Sequence, residues 1–180
     1  MTLDIFLKRQ STRTFLSDPL ARQDIAECLE AARLAPSACN SQPWHFVVVD
    51  EPNLVKDIGE RIFGGIYGIN TFAKQAPVLV AAVSQKAPML TRIGGSFRGT
   101  DFAMIDIGIA VQHFILQATG LGLSSCWIGW FNERQAKRCL KIPRDKKIFA
   151  IIALGYSQEP NREKQRKSLS EISSFNTYQP

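Results

Sequence analysis

The residues best suited to chemistry lie in one short stretch, Pro36-Ser37-Ala38-Cys39-Asn40-Ser41-Gln42-Pro43-Trp44. Ser37, Asn40, Ser41 and Gln42 carry hydroxyls and amides that both donate and accept hydrogen bonds. The two prolines lack a backbone donor and push the residues before them out of the helical region, so the stretch is a stiffened loop. Such a loop is either an ordinary helix-to-strand connection or a contact loop for a small molecule. Elsewhere the sequence offers little reactive machinery. His45 and His113, with cysteines scattered at 28, 39, 126 and 139, do not have a metal-ligand spacing. There is no G-x-S-x-G elbow of a serine hydrolase. There is no Walker A, and Gly120-Leu121-Gly122 lacks the third glycine of a dinucleotide fingerprint. Without an acid pair, metal or nucleophile motif, the pattern points to borrowed chemistry: a cofactor carries the reaction and the protein places it.

Composition sets the frame for that site. At 180 residues the chain reads as a single domain, 1–180, long enough to bury a core without metals or disulfides. Lysine and arginine number 22 against 16 acidic residues, a net charge of +6. That excess suits an anionic ligand and equally suits ordinary solubility. The basic residues read as dispersed, with no aromatic–basic interleaving of an RNA-binding fold, which argues against a nucleic-acid module. The unpaired cysteine spacing reads as reduced thiols. Asp4, Lys8 and Arg9 stand where a secretory leader would be apolar, so the expected location is cytoplasmic. The apolar run from Ile105 to Ala118 reads as too short and too polar to span a bilayer.

The elements that must hold the loop follow from periodicity. Leu3 to Lys8 reads as a short helix. A second helix starts at Pro19, buries Ile25, Cys28, Leu29 and Ala32, and ends at Pro36. His45 to Asp50 is a strand, and Pro52 opens a helix with an apolar face at Leu54, Val55, Ile58 and Ile62. Gly64 to Gly68 breaks that helix. Pro77 to Val83 is an apolar strand buried on both faces. Residues 84 to 100 have no clear period and read as a mobile loop or lid. Asp101 to Thr119 is a long helix, apolar almost all round, at a core centre or against a second subunit. Leu123 to Ile128 is a strand, Asn132 caps a helix that stops before Pro143, and Lys147 to Leu154 is the last long strand. The tail from Tyr156 is polar and basic. The layout is α+β, a central mixed sheet flanked by helices.

Four stretches resemble the nitroreductase family of FMN-dependent oxidoreductases. Pro36 to Trp44 is similar to its P-S-x-x-N-x-Q-P-W signature. Arg9-Gln10-Ser11-Thr12-Arg13 resembles R-x-S-x-[RK] near the N-terminus. Gly120-Leu121-Gly122-Leu123-Ser124-Ser125-Cys126-Trp127-Ile128-Gly129 is similar to G-L-G-x-x-x-W-I-G, and Lys164-Gln165-Arg166 to a late K-x-R. The four occur in the family's order and span nearly the whole chain. Ala38 stands where the family often has Ser, and Gln10 where it usually has Arg or His.

The resemblance implies FMN as the cofactor and an intertwined homodimer with the site at the subunit interface. Arg9, Arg13 and Arg166 would fork onto the FMN phosphate, with Lys164 as a compact charge and Gln10 and Ser11 as donors. Pro36, Ser37 and Ala38 would lie against the ring, Asn40 and Gln42 would meet its polar atoms, and Ile128 and Gly129 would offer backbone groups near N5. The loop would reach the flavin of the other subunit. No side chain would serve as the main acid or base. The implied activity is ping-pong hydride transfer from NAD(P)H, by way of flavin N5, to a flat acceptor such as a nitroaromatic or quinone. Alternatives are a relative performing reductive dehalogenation or ene reduction, and a flavin-binding protein without turnover. Trp127 and Cys126 read as packing residues.

Overall fold

The computed structural model describes residues 3–85 and 99–179. Its strands are β1 (Trp44–Val49), β2 (Val78–Ser84), β3 (Ser124–Ile128) and β4 (Ile148–Gly155), in the spatial order β1-β2-β4-β3. All three pairings are antiparallel. The expected mixed character is confined to one parallel bridge, Ser11 to Ser125, on the outer edge of β3. The helices are α1 (Asp4–Lys8), α2 (Arg22–Arg33), α3 (Pro52–Ile62), α4 (Phe102–Gly120), α5 (Glu133–Cys139) and α6 (Leu169–Ile172). The fold is therefore α+β.

β2 is apolar throughout because helices cover both faces of the sheet. Leu79, Ala81 and Val83 join one core with Val55, Ile58 and Ile62 of α3 and Ala136 of α5. Val78, Val80 and Ala82 join the other with Cys28 and Ala32 of α2 and Val111 and Phe114 of α4. The alternation is the two-residue period of a strand. β4 ends at Gly155, where a Cβ would stand 2.7 Å from Pro77 Cδ and 3.1 Å from Phe15 Cδ1, so the Pro77 ring and the Phe15 side chain pack directly on the glycine backbone.

Helix starts follow the sequence. Glu51 accepts from the Asn53 and Leu54 amides ahead of α3, with Pro52 in its first turn. Asp101 caps α4, and Asn132 caps α5 by accepting from the Gln135 amide at 3.1 Å. The glycines at 64–68 end α3 as expected. The chain then continues in 3-10 turns over Gly65–Gln75, which the sequence reading does not anticipate. The expected lid falls mostly on residues 86–98, outside the described residues.

α4 corrects one expectation. Its 19 residues are long and apolar enough, by length and composition, to cross a membrane. Here Ile107, Ala110, Val111, Phe114, Ile115 and Ala118 are buried within the protein. Met104 and Ile105 on the same helix are 41% and 50% exposed, and Phe6 and Leu7 of α1 are also exposed. The tail strands Leu169, Ile172, Phe175 and Tyr178 in solvent as well. That is far more uncovered apolar side chain than a polar tail would carry.

Candidate functional site

The two ends of the chain meet beside β3. The Thr12 amide donates to the Ser125 carbonyl at 3.0 Å, and the Leu16 amide to the Tyr156 carbonyl at 2.9 Å. These bonds pin residues 11–16 to the sheet edge and to the segment leaving β4. A cavity of about 700 Å³ opens there, lined by Arg9, Gln10, Ser11 and Arg13 from the start of the chain and by the run from Arg162 to Arg166, Glu163 included, from the end. Six of the expected site residues therefore share one wall.

Side chains that the sequence reading does not single out hold this wall together. Glu159 accepts from the Arg13 amide and the Thr14 hydroxyl, both at 3.0 Å, and pairs with Arg162 at 2.8 Å. The Arg13 amide bond and the Thr14 hydroxyl hold its carboxyl below the usual range, against the opposing effect of burial. Gln10 spends its amide on the tail, donating to the Pro160 carbonyl and accepting from the Arg162 amide. Arg162 also donates to the Ser11 carbonyl at 2.8 Å. Arg9, Arg13, Lys164 and Arg166 form no ion pair with the described residues, and Arg13 lies 5.8 Å from the Phe72 ring centroid. Partial burial holds the Lys164 amine below its usual range, and repulsion from Arg9, Arg166 and Arg162 adds to that. The cavity thus gathers five cations against one lining carboxylate, Glu163, an excess of positive charge that suits an anion. The alternate spacing 162, 164, 166 is the signal that could have found Arg162.

The loop at 36–42 lies elsewhere in the protomer, against the N-terminal half of α4. A 3-10 turn, Ala38–Asn40, carries its centre. Cys39, Asn40 and Gln42 all have left-handed backbone, with φ of 51°, 51° and 44°. A buried carboxylate secures them. Asp106 of α4 accepts from the Ala38 amide at 3.2 and 3.1 Å and from the Ser41 hydroxyl at 3.4 Å. Ser37 Oγ accepts from the Gln42 amide, and Gln42 Nε2 donates to Asn40 Oδ1 at 3.1 Å. Asn40 and Gln42 remain exposed, as does Pro36. Asp106 is missed because its partners lie 65 and 68 residues away. A lone carboxylate in an otherwise apolar helix is the signal that was available, since a buried charge needs partners.

The third group closes β3. Ile128 is buried opposite Ile151, and Gly129 is exposed with open space where a Cβ would go. Trp130 follows, 55% exposed, its ring 5.3 Å from that of Tyr67 and its indole N–H donating to the Ile66 carbonyl. Asn70 donates to the Trp130 carbonyl at 2.7 Å. Ile66 and Ile69 are 76% and 81% exposed, so exposed apolar side chains flank the Tyr67–Trp130 pair that follows Gly129. Trp127 packs edge-on to Phe149, and burial raises the Cys126 thiol despite the nearby Arg13 and Arg162, so both are packing residues.

The model of the nitroreductase family matches residues 6–67 and 67–156. A protein of Archaeoglobus fulgidus, provisionally named an NADH dehydrogenase/NAD(P)H nitroreductase, is 30% identical over 162 residues, covering 87% of this chain and 86% of that protein. A crystal structure of a nitroreductase family protein from Clostridium novyi NT is 29% identical, with a TM-score of 0.76, over 91% of this chain and 89% of that one. A crystal structure described as an oxidoreductase containing FMN is 25% identical, with a TM-score of 0.78, over 97% and 91% of the two chains.

Proposed function

The chain belongs to the nitroreductase family, and on that footing we propose that it is an FMN-dependent oxidoreductase that takes electrons from NAD(P)H and passes them to a flat acceptor. The observation that supports this most is the set of cations, Arg9, Arg13, Lys164 and Arg166, that form no ion pair among the described residues and are drawn from both chain ends to one cavity. Their donor chemistry fits a phosphate dianion: guanidinium forks bond two oxygens at once, and the amine adds a point charge. Bound FMN supplies the two-electron chemistry.

The residues of this chain do the rest. The cradle binds the phosphate and fixes the cofactor's register. The exposed backbone at Gly129 lets a ring edge approach without a side chain in the way. Tyr67 and Trp130, their rings tilted by 49°, offer aromatic faces against which a flat acceptor would stack and from which water would be excluded. The loop at 36–42 shares no lining residue with the cradle of its own protomer. In this proposal it serves the partner subunit's cofactor, and the exposed apolar residues of α1, α4 and the tail form the dimer contact. The expected location remains cytoplasmic.

The test is the visible spectrum of the purified protein under anaerobic conditions. A flavin band that bleaches with NADH or NADPH and returns with a nitroaromatic or quinone supports the proposal. A flavin band unchanged by both nicotinamides would leave only a flavin-binding role.

A further inference from the structure

The chain's net positive charge is not spread over its surface. Residues 133–147 contain seven basic and two acidic side chains, a net +5 out of the chain's +6. The fold turns this stretch into a concave surface. Helix α5 is followed by a tight turn in which the Ile142 amide donates to the Lys137 carbonyl and the Lys146 amide to the Pro143 carbonyl. Lys141 occupies the left-handed region in that turn, with φ of 53°. Between helix and turn lies a cavity of about 920 Å³, lined by Arg134, Lys137, Arg138, Lys141 and Arg144, with Glu133 as the sole acidic residue in its wall.

Glu133 cannot neutralise this charge. Its Oε1 is committed to the Lys137 amine at 2.9 Å and to the Ile148 amide at 2.9 Å. Lys137 in turn reaches the Arg144 carbonyl at 3.5 Å. Arg134, Arg138, Lys141 and Arg144 form no ion pair with the described residues and are exposed. Like charges held this close repel one another, so the arrangement is stabilised by whatever anion enters it. The cavity is separate from the phosphate cradle and shares no residue with it.

We propose that this basic cavity is a second anion site that takes a compact polyphosphate. Guanidinium forks bond phosphate oxygens in pairs, which suits a ligand carrying several phosphates in a small volume. The cavity falls in the size range of small-molecule sites, and five cations from one short stretch converge on it, which suits a compact anion that several of them can reach at once. Inorganic polyphosphate and the phosphate chain of a nucleotide present the same chemistry. This inference stands whether or not the flavin reading does.

The probe is inorganic tripolyphosphate, titrated by calorimetry into the full chain saturated with FMN, so that a cofactor bound at the cradle does not compete. The expected result is one saturable equivalent per chain, weakening as salt rises. Arg138→Ala with Arg144→Ala should weaken it at least about tenfold, since two charge-assisted contacts are lost. Lys141→Gly removes a third charge at a backbone position that glycine favours, so it should weaken binding without disturbing the fold. Arg166→Ala should leave tripolyphosphate binding unchanged. A parallel titration with adenosine triphosphate separates the sources: equal affinity assigns the site to phosphate alone, and tighter binding assigns it to a nucleotide. Absence of saturation overturns the proposal. So does loss of binding in Arg166→Ala, or binding of a single-stranded oligonucleotide more tightly than tripolyphosphate.

Discussion

Replacing Asp106 tests how the strained loop is held. Asp106→Ala removes the acceptor of the Ala38 amide and the Ser41 hydroxyl, from a side chain only 4% exposed. The Ala38 bond is charge-assisted and contributes about 1.5–3 kcal/mol, and the longer Ser41 contact at 3.4 Å contributes less. Against this stands the backbone strain of Cys39, Asn40 and Gln42, roughly 1 kcal/mol each for side-chain-bearing residues in the left-handed region. The two quantities are of the same size, so without Asp106 the strain is no longer offset and the turn should relax. Removing the carboxylate also removes the cost of burying it, so global stability should fall less than loop order. The sharper readout is amide hydrogen exchange at Ala38 and Ser41, which should speed up about tenfold or more while the β2 and β4 amides stay protected. FMN affinity should fall with it, because the loop serves the cofactor in the proposed dimer. Asp106→Asn keeps one acceptor and should lie between the two. Unchanged exchange at Ala38 in Asp106→Ala would refute the reasoning.

Other outcomes follow from single contacts. Gly155→Ala places a methyl 2.7 Å from the Pro77 ring and should lower stability by about 1–3 kcal/mol in chemical denaturation; an unchanged midpoint would show that the ring moves freely. Because Glu159 has a lowered folded pKa, its contribution is complete above the ordinary carboxyl range near about pH 4.3 and fades as pH falls through the lowered value. Acid should therefore weaken the clamp between residues 13–14 and the tail, and Glu159→Gln should flatten the acid limb of a stability–pH profile; a superimposable limb would contradict this. Light scattering should give twice the chain mass for the parent, and Ile105→Asp, half-exposed on α4, should give single chains that still fold. A monomeric, flavin-loaded parent would exclude the shared site.

Much of the frame was legible because it rests on local pattern. The two-residue period of β2 and the caps at Asp101 and Asn132 are each written within a few residues. The 3-10 run at 65–75 was not legible, since glycines announce only a break and three-residue turns leave no amphipathic stripe. The extent of α4, by contrast, was legible, Asp101 to Thr119 in the sequence against Phe102–Gly120 in the structure, because an almost unbroken apolar run behind a capping Asp leaves little choice of element. In the site, the cradle cations could be picked out, but their supports could not. Glu159 with Arg13 and Asp106 with Ala38 are contacts across long stretches of chain, with no local signature. The basic cluster is a different case: Arg134, Lys137, Arg138, Lys141 and Arg144 are close neighbours in the sequence, so the reading of the basic residues as dispersed overlooked a local signal, and only their gathering around one cavity depends on the turn after α5.

The central claim is that both ends of the chain hold one phosphate. Calorimetric titration with FMN and with riboflavin, on the parent and on Arg166→Ala, tests it most directly. FMN should bind the parent saturably and riboflavin far more weakly. Arg166→Ala should weaken FMN by about ten- to a hundredfold, the loss of one charge-assisted contact, and leave riboflavin nearly unchanged. Equal affinity for the two ligands in the parent, or equal losses for both on mutation, would contradict the claim.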